Sequence, residues 1–298
     1  MKHIAILHED LEWAEKELKR LLERKHVSVD LLNVKGLSLP LNKRLLIYSL
    51  VLNRVYPSVA NRSYENVKKA VKIVDCLEEK GITVVNSGAA SKADYSKHRA
   101  CKLLEKRGIL TPKTYIVKPK TASSIIAKAG FPLVIKRDCV GRAHDLAIAF
   151  NLSQAKKEIE RRFNDPSYSG DTIIQEFIKS VNDYDIKVCI AGGENLVCAY
   201  KRTLIPHSNG KFKWAGILSK GSKIIPFDYV PEKLLKTAFK TSKALGADVN
   251  DMDIVEGKKG FYIIENNLTP GFNSENEETG VYKKPEKIVE YIYQKYLR

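Results

Sequence analysis

Short apolar runs alternate along this chain with amphipathic stretches, the pattern of strands interleaved with helices. Ile4 to Leu7 reads as a first strand, and Leu11, Leu18, Leu21 and Leu22 give the next segment helical spacing. Val27 to Val34 and Leu45 to Leu52 read as strands. Ser63 caps a helix running to Lys80, whose apolar stripe is Val67, Val71, Val74 and Leu77. Ile82 to Val85 is another strand. The alternation predicts a small Rossmann-like α/β domain over residues 1–88, with a parallel sheet covered by helices.

Ser96 to Arg107 reads as a basic helix stopped by Gly108, and Thr121 to Ala129 as a helix closed by Gly130. Pro132 to Lys136, Ala147 to Phe150 and Thr172 to Ile178 read as strands, with a helix from its cap Ser153 to Phe163 between the last two. Ile186 to Ala191 and Leu196 to Tyr200 flank Gly192-Gly193 as a hairpin, followed by a basic loop over 203–222. Pro231 to Leu245 and Pro285 to Tyr296 are helices.

Length and composition narrow the class. At 298 residues the chain can bury a sizeable core and divides into about two or three units. No apolar run is membrane-length and the N-terminus enters a strand without a leader pattern, so the cytoplasm is the expected location. The five cysteines are scattered with no close pair, which argues against a zinc site or disulfide framework and reads as small buried apolar residues. The 51 basic and 35 acidic residues leave a charge of +16, which implies an acidic partner or a lysine-rich proteome. No G-x-G-x-x-G follows the first strand and no Walker A sequence occurs. Arg54, just past a strand, suits a substrate carboxylate and equally suits plain surface.

The segment from Met252 to Asn267 carries the chemistry. It reads as two core-like strands around a glycine turn, each bearing a carboxylate. Glu265 and Asn267 share a face. A three-residue loop Lys258-Lys259-Gly260 pairs Gly257 with Phe261, Val255 with Ile263 and Asp253 with Glu265, with Gly260 left-handed. Two carboxylates and an amide oxygen then converge, a set that suits magnesium. An even loop would put Asp253 on the wrong face.

Asp253…Glu265-x-Asn267 with Thr269-Pro270-Gly271, the run Gln175-Glu176-Phe177-Ile178 leading to Asp185-Ile186-Lys187, Arg202, and Thr279-Gly280-Val281 before the last helix occur in an order that resembles the ATP-grasp superfamily, and within it the RimK-like carboxylate–amine ligases. The resemblance covers roughly residues 82–298. It implies an α/β fold: a two-lobed ATP-grasp unit (small lobe 89–175, large lobe 176–298) after the domain at 1–88. It also implies an ADP-forming ligase that adds an amino acid such as glutamate through an acyl phosphate, using ATP and magnesium, with manganese as a substitute.

By the same resemblance Asp253, Glu265 and Asn267 are metal ligands, and Lys136 and Lys97 meet phosphates. Lys136 otherwise reads as a solvated strand end, and Lys97, preceded by Ser96 where an aspartate is expected, as a surface lysine. Gln175, Glu176, Phe177 and Ile178 clamp the adenine, and Asp185 meets the ribose unless it is a turn residue. Arg202 and Lys187 face the transferring phosphoryl group, Lys187 standing where an arginine is expected. Lys213 reaches the triphosphate or stays surface. The usual glycine-rich lid is replaced by residues 137–145, where Gly141 alone remains and Arg142 or His144 can act by charge.

The positive charge points to an acidic acceptor: a polyglutamate-tailed coenzyme, a phosphorylated metabolite or an acidic protein tail. A homo-oligomer is the expected state, with no membrane partner. Two other readings stay open. One is an ATP-binding regulator without turnover. The other is a basic nucleic-acid-binding protein, which leaves Asp253, Glu265 and Asn267 unexplained.

Overall fold

The computed structural model describes residues 2–141, 145–207, 213–272 and 283–298. The segment with Arg142 and His144, the glycine and Lys211 inside the basic loop, Asn273 to Asn276 and Thr279-Gly280-Val281 lie outside the described residues.

The first sheet is parallel, in the order β2-β1-β3-β4, from β1 (His3–His8), β2 (Ser28–Asn33), β3 (Leu50–Asn53) and β4 (Thr83–Val85). Helix α1 (Trp13–Glu23) and helix α2 (Tyr64–Glu79) cover it. Ser63 caps α2 by accepting from Asn66 N, as its sequence predicts. The expected strand from Leu45 is shorter: residues Lys43–Ile47 form a 3-10 turn and β3 begins at Leu50.

Helices α3 (Gly88–Asp94) and α4 (Lys97–Glu105) lead to an antiparallel sheet in the order β5-β8-β6-β7: β5 (Thr114–Val117), β6 (Leu133–Arg137), β7 (Ala147–Ala149) and β8 (Thr172–Glu176). Helices α5 (Ala122–Ala129) and α6 (Leu152–Phe163) pack on it. The cap of α6 is Asn151 rather than Ser153, because the amide oxygen of Asn151 accepts Gln154 N at 2.9 Å.

The third sheet runs β13-β10-β9-β14-β15 and is antiparallel. Its members are β9 (Tyr184–Ala191), β10 (Asn195–Thr203), β13 (Ile224–Pro226), β14 (Val249–Gly257) and β15 (Gly260–Asn267); β11 (Ile205–Pro206) pairs with β12 (Lys213–Ala215) beside it. Helix α7 (Glu232–Leu245) packs under β9 and β14, and α8 (Lys284–Ile292) closes the chain. One core joins the first and third sheets: Ile4, Leu18, Leu22 and Leu50 pack with Tyr200, Phe272, Ile288 and Ile292. Burial of this apolar surface fixes how β1–β4 sit on the large sheet.

All five cysteines are free, and Cys101, Cys139, Cys189 and Cys198 are buried. This agrees with their reading as small buried apolar residues; Cys189 and Cys198, apart in sequence, become register partners across β9 and β10 through the hairpin. Among the described residues no helix is long and apolar enough to cross a membrane.

Candidate active site

The hairpin β14–β15 reaches its expected pairing by an unexpected route. Its loop has two residues, Lys258 and Lys259, with Gly257 opposite Gly260, Glu256 opposite Phe261 and Ile254 opposite Ile263. This register is one residue from the expected one. A β-bulge then leaves Ile264 without a partner, and beyond it Asp253 faces Glu265 and Asp251 faces Asn267. The even loop and the bulge cancel, so the acidic face survives. Gly260 has a φ of 128°, positive as expected but more extended than a left-handed turn residue.

Opposed residues of an antiparallel pair share a face. Asp253 also lies opposite Lys187 on β9, and Asp185 opposite Arg202 on β10. One face of the sheet thus gathers Asp251, Asp253, Glu265, Asn267, Lys187, Asp185 and Arg202. Lys187 Nζ lies 3.3 Å from Asp253 Oδ1, Arg202 pairs with the same oxygen at 2.5 Å, and Asn267 Nδ2 donates to Asp253 Oδ2 at 3.2 Å. Burial raises the Asp253 carboxyl, but Lys187 and Arg202 outweigh it and bring its pKa down to about 2. The ammonium of Lys187 is lowered by burial and raised by Asp251 and Asp253, with a net rise.

Two lysines arrive from the other elements. Lys97 opens α4 and is buried, with Nζ 3.1 Å from Glu265 Oε1 and donating to the Val140 carbonyl. Asp138, which the sequence reading did not single out, anchors that helix. Its carboxylate accepts from Ser96 Oγ at 2.5 Å and from His98 N at 2.8 Å. Ser96, placed where the family pattern expects an aspartate, is the helix cap, accepting Arg99 N at 3.1 Å. Lys136, on β6, is 4% exposed, yet its Nζ makes no hydrogen bond or ion pair among the described residues. Burial lowers its pKa, Glu265 opposes this and Lys97 adds to it. An ammonium on a side chain only 4% exposed, with no acceptor among the described residues, suits an anion.

Other expectations change. Asp185 is spent inside the protein: it takes both arms of Arg202 at 2.9 and 3.0 Å and Gly216 N at 3.0 Å. The ribose role expected for it has no support here; it positions Arg202. A Cβ on Gly216 would lie 2.4 Å from Asp185 Oδ1, so only glycine fits that contact. The Gln175 side chain is also occupied, donating to Thr114 Oγ1 at 2.9 Å. Glu176 N bonds to the Lys113 carbonyl at 2.9 Å, while Phe177 and Ile178 follow the strand half-buried. Lys213 stands apart, exposed and paired with Asp183 at 2.7 Å. Arg54 is buried rather than surface: it pairs with Glu15 at 3.2 Å and stacks on Phe272. It lines a cleft of about 120 Å³ together with Tyr56, Ser58, Gly141 and Asn267.

Asp253, Glu265 and Asn267 fit magnesium by donor type, being two carboxylates and an amide on facing strands. Among the described residues no cluster of three or more His, Cys, Asp or Glu could hold a metal alone. Such a set is completed by ligands that a phosphate brings.

A model of the RimK-like ATP-grasp domain matches residues 94–292. The chain belongs to the RimK-like ATP-grasp family. It is 30% identical over 222 residues to a probable alpha-L-glutamate ligase 2 of Shewanella amazonensis, spanning 74% of this chain and 70% of that one. It is 27% identical over 285 residues to the glutamate–LysW ligase ArgX of Sulfurisphaera tokodaii, spanning 95% of each. The fold matches a RimK-domain ATP-grasp protein of Sphaerobacter thermophilus with a TM-score of 0.71 at 16% identity, covering 97% of this chain and 98% of that one. It also matches a D-alanine–D-alanine ligase of Bacillus anthracis complexed with ATP, with a TM-score of 0.68 at 16% identity, covering 100% and 98%. This RimK-like chain is therefore an ADP-forming carboxylate–amine ligase of a family that uses ATP and magnesium. The regulatory and nucleic-acid readings are not favoured.

Proposed function

We propose that this ligase joins the amine of glutamate to a carboxylate on an acidic acceptor, either a polypeptide tail or a polyglutamylated coenzyme. The names of its relatives support the amino acid, and the charge of +16 supports the acceptor. The observation that carries the site assignment is the set Lys97, Lys187 and Arg202 around Asp253 and Glu265, with Lys136 nearby, buried and unpaired among the described residues.

In this reading Lys136 and Lys97 hold the nonreacting phosphates as point charges. Phe177 and Ile178 meet the adenine, and reading its edge passes to the backbone past β8 because Glu176 N is committed to Lys113. Gln175 supports that strand from behind. Asp253, Glu265 and Asn267 hold magnesium, which neutralises phosphate oxygens when bound. A carboxylate oxygen of the acceptor attacks the γ-phosphorus, and the bond to the ADP oxygen breaks. The amine then attacks the acyl carbon, loses a proton, and phosphate leaves with the electron pair of the C–O bond. Arg202 and Lys187 stabilise the charge that builds on the transferring group. Arg54, in the cleft beside Asn267, presents its guanidinium to the acceptor side. The chain divides for this work into units at 1–88, 89–175 and 176–298.

The test follows phosphate release from ATP with glutamate and acidic acceptors, for wild type and Asp253→Ala. Release that needs both substrates and vanishes in the variant supports the reading. ATP binding with no turnover on any pair, or salt-sensitive RNA binding untouched by the substitution, overturns it.

A further inference from the structure

The charged row on the large sheet extends beyond the residues given a role above. Asp251 lies two residues before Asp253 on β14 and so shares its face. It is 2% exposed. Its Oδ2 pairs with Lys284 Nζ at 2.7 Å and with Lys187 Nζ at 3.4 Å. Its Oδ1 is buried without a hydrogen-bond partner among the described residues. Lys284, in the first turn of α8, is fully buried. The charges alternate along the row: Lys284, Asp251, Lys187, Asp253, Arg202, Asp185.

Lys187 and Arg202 both pair with Asp253, the carboxylate read above as a metal ligand. A metal that takes the oxygens of Asp253 displaces both cations from it. Arg202 keeps two bonds to Asp185. Among the described residues Lys187 keeps Asp251 alone. We propose that Asp251 and Lys284 form a positioning pair, which holds Lys187 at the reaction centre when Asp253 turns to the metal. Lys284 fixes one oxygen of Asp251, and the bare Oδ1 is the second seat that Lys187 takes. The pair acts through Lys187 and touches no substrate. The inference rests on the metal-ligand reading of Asp253.

The double variant Asp251→Asn/Lys284→Met removes both charges together, so neither member of the pair leaves the other bare. Its test is calorimetric binding of ADP at stepped magnesium concentrations, alongside kcat and the KM for ATP. Without Asp251, Lys187 rests on Asp253 and competes with the metal. The magnesium concentration for half-maximal ADP binding then rises about tenfold, the scale of one close buried charge pair. At saturating magnesium the ADP affinity stays within about twofold and kcat falls with little change in KM. Asp251→Glu, which keeps the charge and moves the oxygens, gives a smaller shift in the same direction and answers the question if the double variant does not fold. An unchanged magnesium midpoint with unchanged kcat overturns the inference. Asp253→Ala separates the two ideas: if it leaves magnesium-dependent ADP binding intact, the metal-ligand reading itself fails.

Discussion

Lys136→Met should make the nucleotide-free protein more stable and a poorer ATP binder. The side chain is 4% exposed and its ammonium has no hydrogen bond or ion pair among the described residues. A buried polar group left unsatisfied costs about 1–3 kcal/mol, and more when charged. Methionine has nearly the same volume and no charge to desolvate. Part of the gain is offset because Glu265 attracts the ammonium. A net gain of about 1 kcal/mol remains, which raises Tm by about 2 °C for a chain of this length. With nucleotide bound the sign reverses. A hydrogen bond to a charged phosphate is worth about 1.5–3 kcal/mol, so affinity for ATP falls roughly ten- to hundredfold. Stability also gains a pH signature. Burial holds Lys136 below its ordinary value of 10.5, so between the lowered folded value and 10.5 the unfolded chain binds the extra proton and stability rises with pH. That alkaline slope shrinks in the variant. Thermal unfolding without nucleotide, repeated across alkaline pH, and calorimetry with a nonhydrolysable ATP analogue read all three effects. A lower Tm in the absence of nucleotide, or an ATP affinity within twofold of wild type, refutes the reasoning.

Asn86→Ala should cost about 3 kcal/mol in chemical unfolding, since it strands several buried backbone groups. The Asn86 oxygen accepts Asp248 N and Val249 N at 2.6 and 3.0 Å, and its amide donates to the carbonyls of Val249 and Leu268 at 3.0 and 2.5 Å. Asp94 titrates at about 7, raised by burial against its bond from Leu268 N. Its carboxyl stays protonated in the fold where the unfolded chain has lost the proton, so stability declines as pH rises from about 4 to 7. Asp94→Asn keeps an acceptor for Leu268 N and should remove a decline on the order of 4 kcal/mol. Denaturant midpoints measured from pH 4 to pH 8 check it, and an unchanged slope rejects it.

The elements were legible because their signals are local. The period of Val67, Val71, Val74 and Leu77, the cap at Ser63 and the apolar run before Lys136 each act within a few residues. The acidic hairpin was legible as a set of residue types, and its pairing of Asp253 with Glu265 came out as expected. The loop length did not, because a one-residue bulge at Ile264 leaves no mark in the continuous apolar run Phe261-Tyr262-Ile263-Ile264. Partner choice was the least legible. Asp185 reads from sequence as a ribose acceptor or a turn residue, whereas in the fold it lies within β9 and its carboxylate takes Arg202 and Gly216 N, partners that β10 and the loop after it bring from a distance. Asp138 and Lys284 carried no motif; their partners lie about 40 and 33 residues away. Asp251 did carry a signal, its two-residue spacing from Asp253.

The site is thus assembled by contacts that none of its elements contains alone. Asp138 ties the start of α4 to the end of β6, which sets Lys97 beside Lys136. Lys97 then spans to Glu265 on another sheet. Asn86, at the edge of the first sheet, clamps the beginning of β14 to the end of β15, where Asp251 and Asn267 face each other. Lys284 approaches from the last helix to close the charged row. Among the described residues each carboxylate on the face is matched to a cation, apart from the bare oxygen of Asp251, and Lys136 is a cation left without a partner. In the proposed site a phosphate chain would fill that deficit directly, whereas a metal would first have to displace Lys187 and Arg202 from Asp253. On that proposal nucleotide and metal would be coupled through the cations of the protein, with a strength set by where the displaced cations can go.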